Sequence, residues 1–474
     1  MPKDTDKNLF KGKKVLVFGL GLLGGGVATT NWLLKHGAKV TITDLKNKKQ
    51  LAPSLKKIKG RVALKLGGHS EKDIRENEII VLNPDVSPKN PLVKLARKLG
   101  KQIENEATIF YKLCPKPIVA VTGTRGKTTT ANWLAHFLNA RYKTIVSGNS
   151  YVEPMLKTLD KVNKFSVVVN ELPSYHLELF SGGVKAPEVV ITNIFQDHLN
   201  RHGTIENYTR AKANVFKNQS AEQNLVLNYD NKWTPFLLKL KPKAKTWFFS
   251  SSSLPKRAVG IFYKNEAIYL QTDGLAKKVL KVRGFTDKWG EHNLQNLLAA
   301  SLMAHICGVP WLKIRQKIKT LPQVPFRQEV IYKDKKIRII NDTSATSPDG
   351  GIAALKRFGS PHCVLIAGGT DGRLDYSEWA KMARRRIKPE NIILLAGSAT
   401  EKMLKCLGRV DESQIFDTLR GCVKAGLAKA CKYPKSILLF SPAAKSFEKF
   451  KNEFDRGKQF NALIRKEKKK WTQR

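Results

Sequence analysis

Residues 122–130 read Thr-Gly-Thr-Arg-Gly-Lys-Thr-Thr-Thr, directly after the apolar run Ile118-Val-Ala-Val121 and before the helical spacing of Trp133, Leu134, Phe137 and Leu138. A glycine turn between a strand and a helix offers its backbone N–H groups to phosphate. Gly123 and Gly126 free those amides, Lys127 can neutralise β and γ phosphate oxygens, and the Thr128 hydroxyl can ligate Mg²⁺. An ordinary P-loop has four residues between its first glycine and its Gly-Lys pair. Here two residues separate Gly123 from Gly126, so the loop is of a shortened class.

Two further groups could serve a metal beside that loop. Glu171 follows the apolar run Phe165 to Val169, and His198 follows Val189-Val-Ile-Thr-Asn193. Both stand at the C-terminal ends of expected strands, where open α/β sheets place ligand groups. A single histidine there is also an ordinary surface residue. From Thr204, an N-cap with Glu206 in the first turn, a helix carries the apolar stripe Ile205, Tyr208, Val215 and Phe216, and Lys212 falls on that stripe. An ammonium buried beside Mg²⁺ is disfavoured by desolvation and by repulsion. Either Lys212 snorkels to solvent or its amine is neutral and modified, for example by CO₂ to a carbamate that can ligate magnesium.

The elements that position these groups alternate strand and helix, which predicts an α/β protein with mostly parallel sheets. Nearer the N-terminus, Val15-Leu-Val-Phe18, Gly19-Leu-Gly21-Leu-Leu-Gly24, a helix over Val27 to Lys35 and a strand from Lys39 to Thr43 form a βαβ unit ending on Asp44. Gly19 and Gly21 would let the backbone approach a nucleotide, Gly24 would let helix pack on strand, and Asp44 could accept from a ribose hydroxyl. A merely structural glycine turn is the alternative. Read by length alone, the uncharged run Val15 to Leu34 could span a membrane, but five glycines within it make a poor hydrocarbon helix.

Composition narrows the rest. At 474 residues the chain is long enough for about three domains at ~100 to 200 residues each. With 42% hydrophobic and 26% charged residues it is neither disordered nor fibrous. The 85 Lys and Arg against 39 Asp and Glu leave +46, which favours anionic partners without choosing among them. The basic residues are scattered and the 40 aromatics follow core patterns, so no specific nucleic-acid site is expected. Six cysteines without a CxxC pair suit a reducing, cytoplasmic setting.

Several motifs together resemble the Mur ligase family over nearly the whole chain. They are the loop at 122–129, Asn170-Glu-Leu-Pro-Ser-Tyr-His-Leu-Glu178, Thr192-Asn-Ile-Phe-Gln-Asp-His-Leu-Asn-Arg201, Gly290-Glu-His-Asn-Leu-Gln-Asn296, Phe326-Arg-Gln-Glu329, Asn341-Asp-Thr-Ser-Ala-Thr346 and Gly368-Gly-Thr-Asp-Gly-Arg373. Ser441-Pro-Ala-Ala-Lys-Ser-Phe447 and Phe450 to Gly457 are most similar to the branch that adds D-glutamate to UDP-N-acetylmuramoyl-L-alanine. The resemblance implies three domains: a Rossmann-like UDP-substrate domain over 1–113, a central ATP-binding domain over 114–322, and a Rossmann-like amino-acid domain over 323–474. Proline clusters at Cys114-Pro-Lys-Pro117 and Leu321-Pro-Gln-Val-Pro325 suit the joints.

It further implies ATP held by Gly123, Thr124, Gly126, Lys127, Thr128 and Thr129, with Asn293, Arg327 and Asp342 around adenine, ribose and phosphates. Mg²⁺, at two sites, would take Thr128, Glu171, His198 and a carbamylated Lys212. The catalytic residues would be Lys127, Lys212 and His198. The UDP-sugar would meet Gly19, Gly21, Gly24, Asp44 and Asn149, and the amino acid Thr346, Arg373, Ser446 and Phe447. The implied reaction belongs to cytoplasmic peptidoglycan precursor synthesis, by a chain expected to be a monomer without a membrane span. Three positions depart from the D-glutamate branch: Ser344 and Arg373 stand where lysine is common, and Lys445 where a small residue is usual. Asn83-Pro-Asp85 and Gly148-Asn-Ser150 also depart from the patterns expected around the UDP-sugar. The alternative is a Mur-type ligase for L-glutamate or another amino acid.

Overall fold

Apolar runs joined by helices build three sheets in the computed structural model, which describes residues 9–148, 154–408 and 410–471. The first sheet has five parallel strands, β1 (Lys14–Phe18), β2 (Lys39–Asp44), β3 (Ala63–Leu66), β4 (Ile79–Leu82) and β5 (Gln102–Glu104), in the order β3-β2-β1-β4-β5. The chain leaves β1 toward β2 and later returns on its other side to β4. That reversal opens a crevice at the C-terminal end of β1, where the glycine turn lies.

The second sheet has nine strands. They are β6 (Ile118–Thr122), β7 (Thr144–Gly148), β8 (Val167–Glu171), β9 (Glu188–Ile191), β10 (Asn224–Asn228), β11 (Lys245–Ser250), β12 (Gly260–Lys264), β13 (Ala267–Thr272) and β14 (Leu275–Lys281). Their order is β14-β13-β12-β11-β10-β9-β6-β8-β7, with only the β12-β13-β14 end antiparallel. Because β6 runs parallel between β8 and β9, with Val121 beside Glu171 and Thr122 beside Ile191, the loops after all three strands open on one edge. Lysines at 277, 278 and 281 on β14 keep this outermost strand from pairing with another chain.

The third sheet comprises β15 (Glu329–Lys333), β16 (Ile337–Asn341), β17 (Cys363–Gly368), β18 (Ile392–Leu395), β19 (Ile415–Phe416) and β20 (Ser436–Phe440), ordered β15-β16-β20-β17-β18-β19. Only β15 is antiparallel. Cys363, Leu365 and Ala367 pack into one core layer with Trp379, while Val364 and Ile366 pack into another with Leu438 and Phe460. This period of two, apolar on both faces, is what a parallel sheet covered by helices on each side requires.

The architecture is therefore α/β with three sheet-centred domains and mostly parallel sheets. By contact density the described chain parts into two compact units. The first runs to Phe285 and includes Asn293–Pro322, so it holds the first two sheets; the second comprises Thr286–His292 and the residues from Gln323 on, with the third sheet. Among the described residues no helix is long and apolar enough to cross a membrane. Val15 to Leu34 is divided among β1, the glycine turn and a helix over Gly25–Lys35.

Candidate active site

In the first unit the chain turns at the end of β6 into the glycine loop and then into a helix over Lys127–Leu138. The loop is braced by the strand beside it. Thr124 N–H donates to the Asn193 carbonyl (2.8 Å), Arg125 N–H to Asn193 Oδ1 (2.8 Å), and Thr192 Oγ1 to the Arg125 carbonyl (2.6 Å). A Cβ on Gly123, at φ 140°, would strike Thr192 Oγ1, and one on Gly126, at φ 80°, would strike Asn296 Oδ1. Asn296 in turn donates to Asn293 Oδ1 (2.9 Å) and accepts from Thr130 Oγ1 (3.2 Å), which places Asn293 beside the loop. Lys127 Nζ donates to the Thr124 carbonyl (3.0 Å), and Thr129 is buried in the first turn of the helix.

Lys212 does not snorkel. It lies on a helix over Ile205–Ala213, capped by Thr204 accepting from Asn207 N–H, and it is 1% exposed. Its Nζ donates to the Gly123 carbonyl (2.8 Å) and lies 4.8 Å from the centre of the Tyr208 ring. Burial first, and then the Lys127 ammonium, push the amine well below the ordinary lysine pKa. A neutral amine against a phosphate loop can react with CO₂ or accept a proton, which an ammonium cannot do.

Of the expected metal ligands, Thr128 and Glu171 are together: Thr128 Oγ1 donates to Glu171 Oε1 at 3.1 Å, and Glu171 is buried. His198 sits at φ 52°, half-exposed, with Nε2 3.9 Å from Asp197 Oδ2. Among the described residues no three His, Cys, Asp or Glu side chains gather as a protein-only metal cage would need. A hydroxyl and a carboxylate at the mouth of a phosphate loop nonetheless fit Mg²⁺, which takes one or two protein oxygens and completes its shell with water and phosphate.

Residue reasoning overlooked the Arg125–Asp197 pair. Arg125 Nη1 donates to Asp197 Oδ2 at 2.8 Å; burial pushes this carboxyl up, but the guanidinium and the nearby His198 outweigh it and hold the pKa at about 2. The signal was available, since both residues lie inside the quoted motifs, four residues from Thr129 and one from His198. Tyr208, whose hydroxyl lies 3.2 Å from Thr124 Oγ1, was read only as part of an apolar stripe.

At the crevice of the first sheet, Gly19, Gly21 and Gly24 all have positive φ. The glycine at which the helix comes close is Gly26, against the turn itself, and not Gly24 as the spacing suggested. A Cβ at Gly26 would clash with the Leu20 carbonyl, whereas one at Gly24 would meet nothing within 4 Å. Asp44, the expected ribose acceptor, is tied to the backbone of the turn. Its Oδ2 accepts from Leu20 N–H (2.9 Å) and Gly21 N–H (3.0 Å) and its Oδ1 from Lys46 N–H (2.9 Å), so it braces the turn. Burial raises its pKa, and these amides more than reverse that. Asn83 stands over the turn, with Nδ2 3.5 Å from where a Gly21 Cβ would be. Asn149 lies outside the described residues.

In the second unit β20 runs between β16 and β17, so the loops after Asn341, Gly368 and Phe440 meet at one sheet edge. These loops carry Asp342, Thr346, Arg373, Ser446 and Phe447. Asp342 is buried, accepting from Ser441 Oγ (2.9 Å) and Gln328 N–H (3.0 Å); burial raises its pKa to about 7 against those hydrogen bonds and the Arg327 charge. Phe447 is exposed. Arg456 was not singled out, yet it is fully buried. It donates from Nε to Thr343 Oγ1 (3.0 Å), from Nη2 to the Thr343 carbonyl (2.9 Å), and from Nη1 to the carbonyls of Ala444 and Lys445 (3.1 Å each).

Comparison with known proteins gives this geometry its family. Residues 121–304 match the Mur ligase middle domain, and residues 13–105 the MurD-like N-terminal domain of Mur ligases. The chain is 36% identical over 464 residues to a UDP-N-acetylmuramoylalanine–D-glutamate ligase of Roseiflexus sp. strain RS-1, covering 96% of this chain and 98% of that one. The fold is shared with MurC, a UDP-N-acetylmuramate-alanine ligase from Thermotoga maritima (TM-score 0.57, 21% identity, covering 96% of this chain and 100% of that one). It is shared also with MurF ligase from Thermotoga maritima, solved in complex with ADP (TM-score 0.55, 17% identity, covering 98% of this chain and 100% of that one). The shortened phosphate loop, the three α/β domains and a likeness that runs nearly end to end have one explanation: this chain belongs to the Mur ligase family of ATP-dependent amide-forming ligases.

Proposed function

We propose that the protein joins D-glutamate to UDP-N-acetylmuramoyl-L-alanine, with ATP consumed to ADP and phosphate, in cytoplasmic peptidoglycan precursor synthesis. The observation that carries the choice of substrates is the likeness to D-glutamate ligases over 96% of the chain. The geometry supports the chemistry. The L-alanyl carboxylate attacks the γ-phosphorus, ADP leaves, and an acyl phosphate forms. The amine of D-glutamate then attacks that carbonyl, and the tetrahedral intermediate expels phosphate as the amine loses its proton.

Little covalent work falls to the protein, so positioning and electrostatics supply most of the rate. The amides between Gly123 and Thr129 hold the β and γ phosphates, and Lys127 turns from the Thr124 carbonyl to the charge that builds on them. Thr128 and Glu171, which lie together at the mouth of the loop, would hold Mg²⁺, and His198 and a carbamylated Lys212 would complete the ligand set. The metal, when bound, offsets negative charge between the phosphate and the attacking carboxylate. Lys212 becomes a ligand only after its neutral amine adds CO₂ and loses a proton. The family resemblance gives Asn293, Arg327 and Asp342 to the adenine, ribose and phosphates of ATP.

The test is phosphate release from purified protein with ATP, Mg²⁺ and UDP-N-acetylmuramoyl-L-alanine, adding D-glutamate, L-glutamate, L-alanine or diaminopimelate separately. Turnover with D-glutamate alone is expected. Turnover with L-glutamate instead would reassign the amino acid, and silence with all four would overturn the reading.

A further inference from the structure

In the third sheet, Lys445 stands beside residues expected to meet the amino acid, Arg373 and Ser446, yet has no role of its own in the family reading. Lys445 lies in the loop after β20, and its backbone is pinned to the loop after β17: Thr370 N–H donates to the Lys445 carbonyl (2.9 Å) and Lys445 N–H to the Thr370 carbonyl (3.1 Å). The side chain then crosses Gly372, where an added Cβ would come within 3.2 Å of Lys445 Cε. The ammonium is thereby brought to the loop of Arg373, the residue next to that glycine.

Both loops are held in conformations that cost energy. Arg373 has φ 58° and the fully buried Ala443 has φ 55°. Non-glycine residues persist there only when the surroundings over-determine them, a condition that clusters at functional sites. From beneath, the buried Arg456 ties the carbonyls of Ala444 and Lys445 to Thr343.

The acids nearby are already committed. Asp371 is paired with Lys402 at 2.6 Å and accepts from Arg373 N–H at 2.8 Å, and Glu448 accepts from Ser398 N–H at 3.0 Å and from its hydroxyl. Among the described residues neither the Lys445 ammonium nor the Arg373 guanidinium has an ion-pair or hydrogen-bond partner. Beside them the Ser446 hydroxyl, on a residue 3% exposed, is buried without a partner. The partly buried Lys445, the exposed Arg373 and the buried, unsatisfied Ser446 hydroxyl together offer a carboxylate two cations and a donor.

We propose that Lys445 is a specificity-determining residue that, with Arg373, binds the side-chain carboxylate of the incoming amino acid and so selects a dicarboxylic substrate. This rests on the ligase reading above.

The experiment compares wild type, Lys445→Met and Lys445→Arg in steady-state assays that vary D-glutamate, ATP and the UDP-substrate, with D-glutamine as the uncharged isostere of the amino acid. Thermal melts confirm that each variant folds. Lys445→Met is expected to raise the KM for D-glutamate by ~10-fold or more, to leave the KM for ATP unmoved, and to shrink the preference for D-glutamate over D-glutamine by a similar factor. Lys445→Arg should restore most of both. An unchanged KM and an unchanged preference in Lys445→Met would overturn the proposal. If wild type uses another dicarboxylic amino acid and Lys445→Met weakens that one, the D-glutamate reading fails and the carboxylate site stands. Preference for an amino acid without a side-chain carboxylate would overturn both.

Discussion

Lys212 concentrates the physical chemistry of this protein at one atom. For a lysine amine 1% exposed, held by a carbonyl at 2.8 Å, burial and the Lys127 charge favour the neutral form and outweigh the opposing pull of Asp197 and Glu171. Lys212→Ala should therefore fold and lose ~10²-fold or more in kcat, the scale seen when one electrostatic contributor is removed from a preorganised site. A carbamate carbon signal from ¹³C-bicarbonate, present in wild type and absent in the variant, would identify the modification. Asp197 offers a pH test. Its folded pKa of about 2 lies below the ordinary 3.8, so its contribution is present above pH ~4 and is lost as pH falls toward 2. A shift of that size corresponds to ~2 kcal/mol. Asp197→Asn should flatten the acid side of the stability profile, measured by urea denaturation between pH ~2 and ~5, and leave the slope above pH 5 unchanged.

At the scale of the element, the glycine loop works because the strand beside it leaves no room for side chains. Gly123→Ala and Gly126→Ala each set a methyl against a polar atom, Thr192 Oγ1 or Asn296 Oδ1, at a φ that alanine resists. Both should weaken ATP binding by ~10-fold or more while the β6 core persists, as read by calorimetric titration alongside circular dichroism. The loops at the edge of the third sheet depend on a cation instead. Removing the Arg456 side chain strands several buried oxygens at ~1–3 kcal/mol each, and Arg456→Gln can recover only part of them. The expected result is a fall in the melting temperature together with a raised KM for the amino acid.

For the whole molecule, charge is the dominant variable. A net +46 spread over the surface repels itself, and salt screens that repulsion over a Debye length of ~10 Å at 0.1 M. Raising NaCl from ~20 to ~200 mM should raise the melting temperature, the reverse of what a fold held by surface ion pairs would show. The same field draws in a substrate bearing a pyrophosphate and a carboxylate, so kcat/KM for the UDP-substrate should fall over that range as the fold becomes more stable.

Much of this was legible in the residues, because it depends on neighbours along the chain. A strand, a glycine turn and a helix follow from local propensity and hydrophobic period, and so do the βαβ unit at β1, the Thr204 cap and the α/β class. Motif order along 474 residues carried the family. What depends on distant contacts was not legible. The lone Lys212 could have snorkelled, until the packing of its helix against the β6 loop buried it. Gly26 rather than Gly24 carries the close helix contact because the helix begins at Gly25, within error of any boundary read from a sequence. Asp44 braces the glycine turn because parallel pairing of β1 with β2 brings its carboxylate to the Leu20 and Gly21 amides. The pairing of Arg125 with Asp197, 72 residues apart, and the meeting of Lys445 with the Gly372 loop arise from strand order. Sequence by itself determined which chemistry the chain can perform; tertiary structure decided which side chains are desolvated and which charges stay unpaired, because burial and Coulomb energy depend on distance in space.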